Sequence, residues 1–342
     1  MNRISDASHG QVAPLQANSL SEVPQLLAAI GEFDKGRLHR EVNYYGTEAL
    51  LRYIYDLPNW ISLYFLDIFH SLPAVDRASE RIKRNRFKHL FVYGMPQVKT
   101  HEQYVKRVYP IGSPFVNYRH KARIVQSASA SGTTVFPSHT SIIARAELDW
   151  VAFAEEVANL PAVFHPVRVC LFYLDIELGR AQPFLERGIP VVTAGHKLDF
   201  NFPVRFYQIV SQSRWVAGNH IGSFAYYAIE MGIPFFFLGP EASYIFHTER
   251  NDMGGKVGEE FKFKSQVYTP SAFEEELKLF TPPFAPDGTP ILRPETRAYV
   301  LDRLGIPPIV SRATVRRLIF TEWLKYQALA PARRLLRTIR RR

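Results

Sequence analysis

The 342-residue sequence predicts an α/β fold built on parallel sheet, and three observations carry that prediction. Between Gly188 and Glu241 the short apolar runs 189–193, 215–217 and 233–238 alternate with stretches of helical periodicity. Those runs are continuously apolar, as strands covered on both faces are. Each turn from strand to helix is rich in Gly, His, Asn or Ser, and such turns fall at the carboxyl ends of the strands, where open α/β sheets bind ligands.

Taken from the start, residues 1–18 are polar and turn-rich, with no expected element. Ser21 caps a helix over 22–30, and 37–45 reads as a short strand. Gly46-Thr47 opens a firmer helix over 48–55, which Leu57-Pro58 ends. A buried strand over 60–69 runs into His70, followed by a charged helix over 76–87. A strand over 89–93, a helix over 98–108 and the turn Pro110–Pro114 complete a first α/β domain, 1–125. Ser127–Thr133 is a small-residue linker. The second domain, 126–290, begins with a strand over 133–136 and a long helical stretch to about Leu160. A strand over 167–174 and a helix over 177–186 lead into 189–193, then a helix over 202–212 and a strand over 215–217. Ser223 caps a helix that Gly232 stops, and the strand 233–238 follows. Residues 261–267 alternate like an edge strand, and 271–279 is a capped helix. Residues 291–342 form a basic amphipathic helical tail.

Composition narrows the function classes. Hydrophobic residues make up 46% and charged residues 22%, which fits a soluble globular chain with a substantial core. Cys170 is the one cysteine, so neither an intrachain disulfide nor a cysteine-based zinc site is expected, and a reducing compartment is. The start of the chain lacks the apolar core of a signal peptide, and no apolar run is long enough to span a bilayer. The expected location is cytoplasmic. The net charge of +10 is concentrated: from Ser311 onward there are ten basic residues and one acid, leaving 32 basic against 31 acidic elsewhere. A balanced body argues against nucleic acid as a partner. The tail places Val315, Leu318, Ile319, Trp323, Tyr326 and Leu329 on one helical face, and 333–342 adds six arginines. That pattern suits peripheral contact with an anionic membrane surface, and equally a helix packed on the body.

No G-x-G-x-x-G, P-loop or Cys/His metal spacing is present. Asp175-Ile176-Glu177 at a strand end pairs two acids, but Asp175 sits where a helix N-cap belongs and Glu177 in the first turn, so no metal is expected. Asn219-His220-Ile221-Gly222-Ser223 joins a buried strand to a helix whose free N–H groups and dipole favour an anion. Gly222 lets a phosphate approach the backbone, and Ser223 either caps the helix or donates to phosphate. Ser138-His139-Thr140-Ser141 and Gly195-His196-Lys197 also follow strands, which predicts three histidines on one sheet edge. Glu230, late in the helix after Ser223, points to a ribose or to solvent. Glu241 is similarly open. Candidate acid–base residues are His139, His70 near a strand end, and Glu48, which also suits a helix N-terminus.

The run TAGHKLDFNF…SRWVAGNHIGSFAYYAIEMGIPFFFLG resembles the C-terminal, donor-binding half of bacterial GT-B glycosyltransferases of the capsular and surface-polysaccharide type. Gly218–Ser223 and Gly232-Ile233-Pro234 carry the likeness. Phe136-Pro137-Ser138-His139 is similar in position to the histidine loop of bacterial sialyltransferases and teichoic-acid polymerases, though it departs from the sialyltransferase His-Pro order. Ile111-Gly112-Ser113-Pro114 resembles the turn leaving the N-terminal domain. The resemblance implies two Rossmann-like domains facing a cleft. A nucleotide-sugar donor would place its diphosphate at the helix from Ser223, and a glycan or lipid-linked acceptor would enter from the first domain. It also implies neither metal nor cofactor, because helix dipoles and basic side chains stabilise the leaving diphosphate. A sugar-nucleotide 2-epimerase, a polyol-phosphate transferase using a CDP-alcohol, and a non-catalytic glycan-assembly protein share the scaffold and stay open.

Overall fold

The computed structural model describes residues 12–31, 41–61, 63, 67–68, 82, 89–248, 256–262 and 270–328. The expected helix over 76–87 (all but Ile82), His70, most of the expected strand over 261–267 and the final arginines fall outside these residues. The first half contains β1 (Leu15–Ala17), α1 (Val23–Ile30), α2 (Thr47–Tyr55), β2 (Asp67–Ile68), β3 (Leu90–Val92), α3 (Met95–His101), β4 (Val108–Pro110) and α4 (Pro114–Lys121). Then come β5 (Thr133–Val135), β6 (Ala144–Glu147), α5 (Trp150–Ala158), β7 (Val167–Cys170), α6 (Tyr173–Glu177), α7 (Gln182–Leu185), β8 (Val191–Thr193) and α8 (Phe202–Ser211). The chain continues through β9 (Trp215–Gly218), α9 (Ser223–Glu230), β10 (Phe235–Phe237), β11 (Ser243–Phe246) and β12 (Glu260–Phe261). Three helices follow, α10 (Pro270–Phe280), α11 (Pro294–Leu304) and α12 (Arg312–Ala328).

The protein is α/β. Its main sheet has the order β1-β8-β7-β5-β9-β10, with β1 antiparallel to β8 and every other pair parallel. Counting the five parallel strands in chain order, the sheet reads 3-2-1-4-5. Its direction of winding therefore reverses between β5 and β9. That reversal opens a crevice beyond the carboxyl ends of those two strands. A second sheet, β2-β3-β4, is parallel, and a third, β12-β11-β6, is antiparallel.

Apolar side chains cover both faces of the main sheet. Leu26, Phe153 and Phe184 pack with Val135, Val169 and Ala217 on one face. On the other, Tyr207 and Tyr226 join Val192 and Val216, and the same cluster continues through Leu50, Tyr118, Leu304 and Ile319. One core therefore ties α2, α4, α11 and α12 to the main sheet. The tail is in part body: Val315 and Ile319 are buried. The close of α11 on β3 needs glycine at 305, where φ is +64° and a Cβ would lie 2.0 Å from the Tyr93 carbonyl oxygen.

Several elements differ from the sequence expectations. Residues 15–17 form β1 on the main sheet, because Leu15 and Ala17 turn inward around exposed Gln16. The first residues therefore pack with the second half of the chain, across the expected boundary at 125. The helix expected up to Leu160 is preceded by β6, whose alternation of buried and exposed residues pairs it with β11, and Asp149 then caps α5. Residues 41–46 form a 3-10 segment where a strand is expected. The helix expected over 98–108 ends at His101, before β4. The one expected over 177–186 is two short helices separated by Gly179 at φ +77°. Asp175 is not an N-cap; Phe172 holds that position. Among the described residues no helix is long and apolar enough to cross a membrane.

Candidate functional site

The crevice at the reversal between β5 and β9 contains a cavity of about 350 Å³. That volume lies within the range of small-molecule sites. Loops after four parallel strands reach it: Pro137, His139 and Ser141 after β5, Leu171 and Phe172 after β7, Ala194 after β8, and His220, Gly222 and Ser223 after β9. Tyr45 and Phe115 close it from the first half of the chain. Five of the sequence candidates after β5 and β9 thus meet on one wall: His139, Ser141, His220, Gly222 and Ser223.

Their neighbours hold the loops in place. Asn219 accepts the Ser138 N–H at 2.7 Å and donates to the Pro240 carbonyl at 2.7 Å, which ties the β5, β9 and β10 loops together. Both ends of its amide are therefore engaged within the protein. The Thr140 N–H donates to Asp175 at 3.1 and 3.2 Å, and the Thr140 hydroxyl accepts from the Ala146 N–H. Burial pushes the Asp175 carboxyl up. The Ser141 hydroxyl accepts from the N–H groups of Ile143 and Ala144, forming a local turn. The Ser138 hydroxyl bonds Tyr244, whose phenol burial pushes up to about 12.

The two histidines on the wall differ in role. Nδ1 of His139 lies 3.0 Å from the Thr140 carbonyl. A carbonyl can only accept, so the neutral ring carries its proton on Nδ1 and keeps a lone pair at Nε2. Its ring is held against Phe172, 4.8 Å between centroids. Burial and the nearby His139 push His220 down to about 3, so it stays neutral at physiological pH. His220 and Tyr244 also line an adjoining cavity of about 230 Å³, together with Glu241.

No side chain caps α9, whose N-cap is Gly222 and whose first helical residue is Ser223. Side chains press close around Gly222. A Cβ there would lie 2.6 Å from the Phe224 ring and 2.9 Å from Nε2 of His220. Glycine lets both rings fold back over the start of the helix.

The remaining candidates lie apart from the cavity. Nδ1 of His196 accepts the Leu198 N–H, and its ring packs on Tyr173 at 4.2 Å. Lys197 is buried with its ammonium 4.9 Å from the centre of the Tyr44 ring, and burial pushes its pKa down. Gly195 turns the loop at φ +98° beside Asp199 and Arg205. Glu48 forms a half-buried ion pair with Arg52 at 2.7 Å. Glu230 lies seven residues along α9 from Ser223, about 10 Å by helical rise. Arg119 holds it at 2.8 and 2.5 Å and His120 at 2.9 Å. Among the described residues no group of three His, Cys, Asp or Glu could hold a metal ion.

Aromatic walls are what sequence reasoning missed. Phe115 stacks on Tyr227 at 5.1 Å with an interplanar angle of 1°, and Phe136 stacks on Phe224 at 4.7 Å. Tyr45 meets Phe202 edge-on at 5.0 Å. The one available signal was the 13% aromatic content, clustered in stretches such as Phe224–Tyr227. Such flat faces suit a nucleobase or the C–H face of a sugar, and the uncapped helix end suits an anion. No protein-family model matches the chain, and no curated protein matches it.

Proposed function

We propose that the protein is a glycosyltransferase that moves a sugar from a nucleotide-sugar donor to a glycan or lipid-linked acceptor in surface-polysaccharide synthesis, on a two-domain GT-B arrangement. The observation that carries this reading is the uncapped start of α9 opening into an aromatic-walled cavity at the reversal of strand order. The donor diphosphate would lie at Gly222 and Ser223, with the base against the aromatic walls. In a direct displacement the acceptor oxygen bonds the anomeric carbon as the bond from that carbon to the diphosphate breaks. The acceptor proton passes to Nε2 of His139, and the nucleoside diphosphate leaves with the electron pair. A hydrogen bond to the Thr140 carbonyl orients that base. Neutral His220 spends its one N–H on Asn219 Oδ1, 3.4 Å from Nδ1, so its ring would serve as a wall beside Gly222 and not as a donor to the phosphate.

The test is turnover. Purified protein, offered a panel of UDP-, GDP- and CMP/CDP-linked donors with lipid extracts, should release nucleotide from one donor. His139→Gln should lower that rate by roughly 10²–10⁴. Release unchanged in the variant would remove His139 as base, and no release from any donor would count against a transferase. A second reading has its own support: no lysine or arginine is among the described residues lining the cavity, whose walls are mainly aromatic. That lining also fits a glycan-binding protein without catalysis, which would bind sugars yet turn over no donor.

A further inference from the structure

Where the end of α2 meets α12, the surface is both aromatic and basic. Trp60 is 57% exposed and packs edge-on against Trp323 at 4.8 Å and Phe320 at 6.1 Å. Phe320 and Leu324 are 41% and 49% exposed on the same helix. Beside this cluster runs a groove of about 700 Å³ between Leu57, Pro58 and Ile61 on one side and Arg312, Arg316 and Arg317 on the other. The acids here are already engaged: Asp56 pairs with Lys121 and Arg312, and Glu322 pairs with Lys325 and His89. Arg316 and Arg317 make no ion pair with a described residue. The surface is therefore net positive, and the sequence beyond α12 adds six more arginines by Arg342.

We propose that this composite face docks on an anionic lipid bilayer, with Trp60, Phe320 and Leu324 at the level of the headgroups and Arg316 and Arg317 against their phosphates. Exposed tryptophan beside arginine is suited to that boundary, where one end of the side chain is apolar and the other wet. Charge complementarity selects the anionic bilayer over a neutral one. The sequence alone offered only the tail for this contact. Folding adds the 57–61 loop, more than 250 residues away, so the docking face depends on the folded chain. It shares no residue with the cavity, and the transferase reading can fail without it.

The experiment sediments the full chain with vesicles of phosphatidylcholine and phosphatidylglycerol in equal parts, and with phosphatidylcholine alone. Binding is expected only to the first, with a blue shift of tryptophan emission. That shift reports Trp60 and Trp323, because Trp150 and Trp215 are only 5% and 3% exposed in the folded chain. Replacing both Arg316 and Arg317 by Gln should lower partitioning roughly thirtyfold, and Trp60→Ser should diminish the blue shift. Circular dichroism confirms that each variant is folded, and either variant alone suffices as a test. Equal binding to neutral vesicles, no binding to the anionic ones, or wild-type partitioning by the arginine variant would overturn the proposal.

Discussion

The two ends of α9 were built for opposite purposes. At its C-terminal end, Glu230 is buried and every strong polar contact is made, by Arg119 on both oxygens and by His120. At its N-terminal end no side chain caps the helix, and Gly222 and Ser223 line a cavity. Only eight residues separate a closed electrostatic contact from an open one. Polar groups satisfied within the chain hold α4 to α9, whereas donors left open toward a cavity are available to a ligand. Helix position alone does not decide between these uses; the neighbours do.

The largest effect is expected at the closed end. Arg119→Met strands a buried carboxylate and should cost about 3–5 kcal/mol in denaturant unfolding, while replacing Arg119 and Glu230 together by Met should recover most of the loss. The pair also sets a pH dependence. Burial raises the Glu230 carboxyl, but hydrogen bonds from His120 and Arg119 outweigh it and hold the group below its usual range. A depressed carboxylate contributes stability in full above its unfolded pKa and loses it as pH falls through the folded value. Unfolding measured across the acid range should therefore be less steep in Glu230→Gln.

Next comes the open end. Gly222→Val would drive Phe224 and His220 apart, and should cost ~1–3 kcal/mol in stability while reducing nucleoside diphosphate affinity by far more than tenfold. Ser223→Ala offers a finer contrast with Asp149→Ala. The Asp149 carboxylate accepts from the N–H groups of Val151 and Ala152, so its loss should cost ~1 kcal/mol of stability and no affinity. Ser223 caps nothing, so its loss should weaken anion binding roughly tenfold with little change in melting. Smallest of all, Glu48→Gln should cost about 0.3–0.5 kcal/mol, the worth of an i,i+4 pair, and leave turnover unchanged. A large loss of turnover there would restore Glu48 as a catalytic candidate.

How much of this was legible depends on what each residue reports locally. The strands 191–193, 215–218 and 235–237 were readable because burial on both faces leaves a continuous apolar run, and 167–170 was readable from the apolar stretch that continues to Leu174 despite Arg168. β1 and β6 were not, because short half-exposed strands alternate and β6 carries Arg145 and Glu147. His139, His220, Gly222 and Ser223 stood out because turns after buried strands gather at one edge. The aromatic walls were hidden, since Phe206 and Tyr227 have the same helical spacing as ordinary core residues. Nor does any local pattern join Arg119 to Glu230, 111 positions apart. Lys197 shows the limit of reading charge from sequence: its basic side chain lies buried against Tyr44 and away from the cavity.

The most direct measurement is calorimetric titration of the purified chain with UDP, GDP, CDP and ADP. Binding of at least one is expected, with a clear loss of affinity in a protein carrying both His220→Ala and Ser223→Ala and retaining its fold by circular dichroism. Absence of binding by the unaltered chain, or equal binding by that variant, would contradict the placement of a donor phosphate at the start of α9.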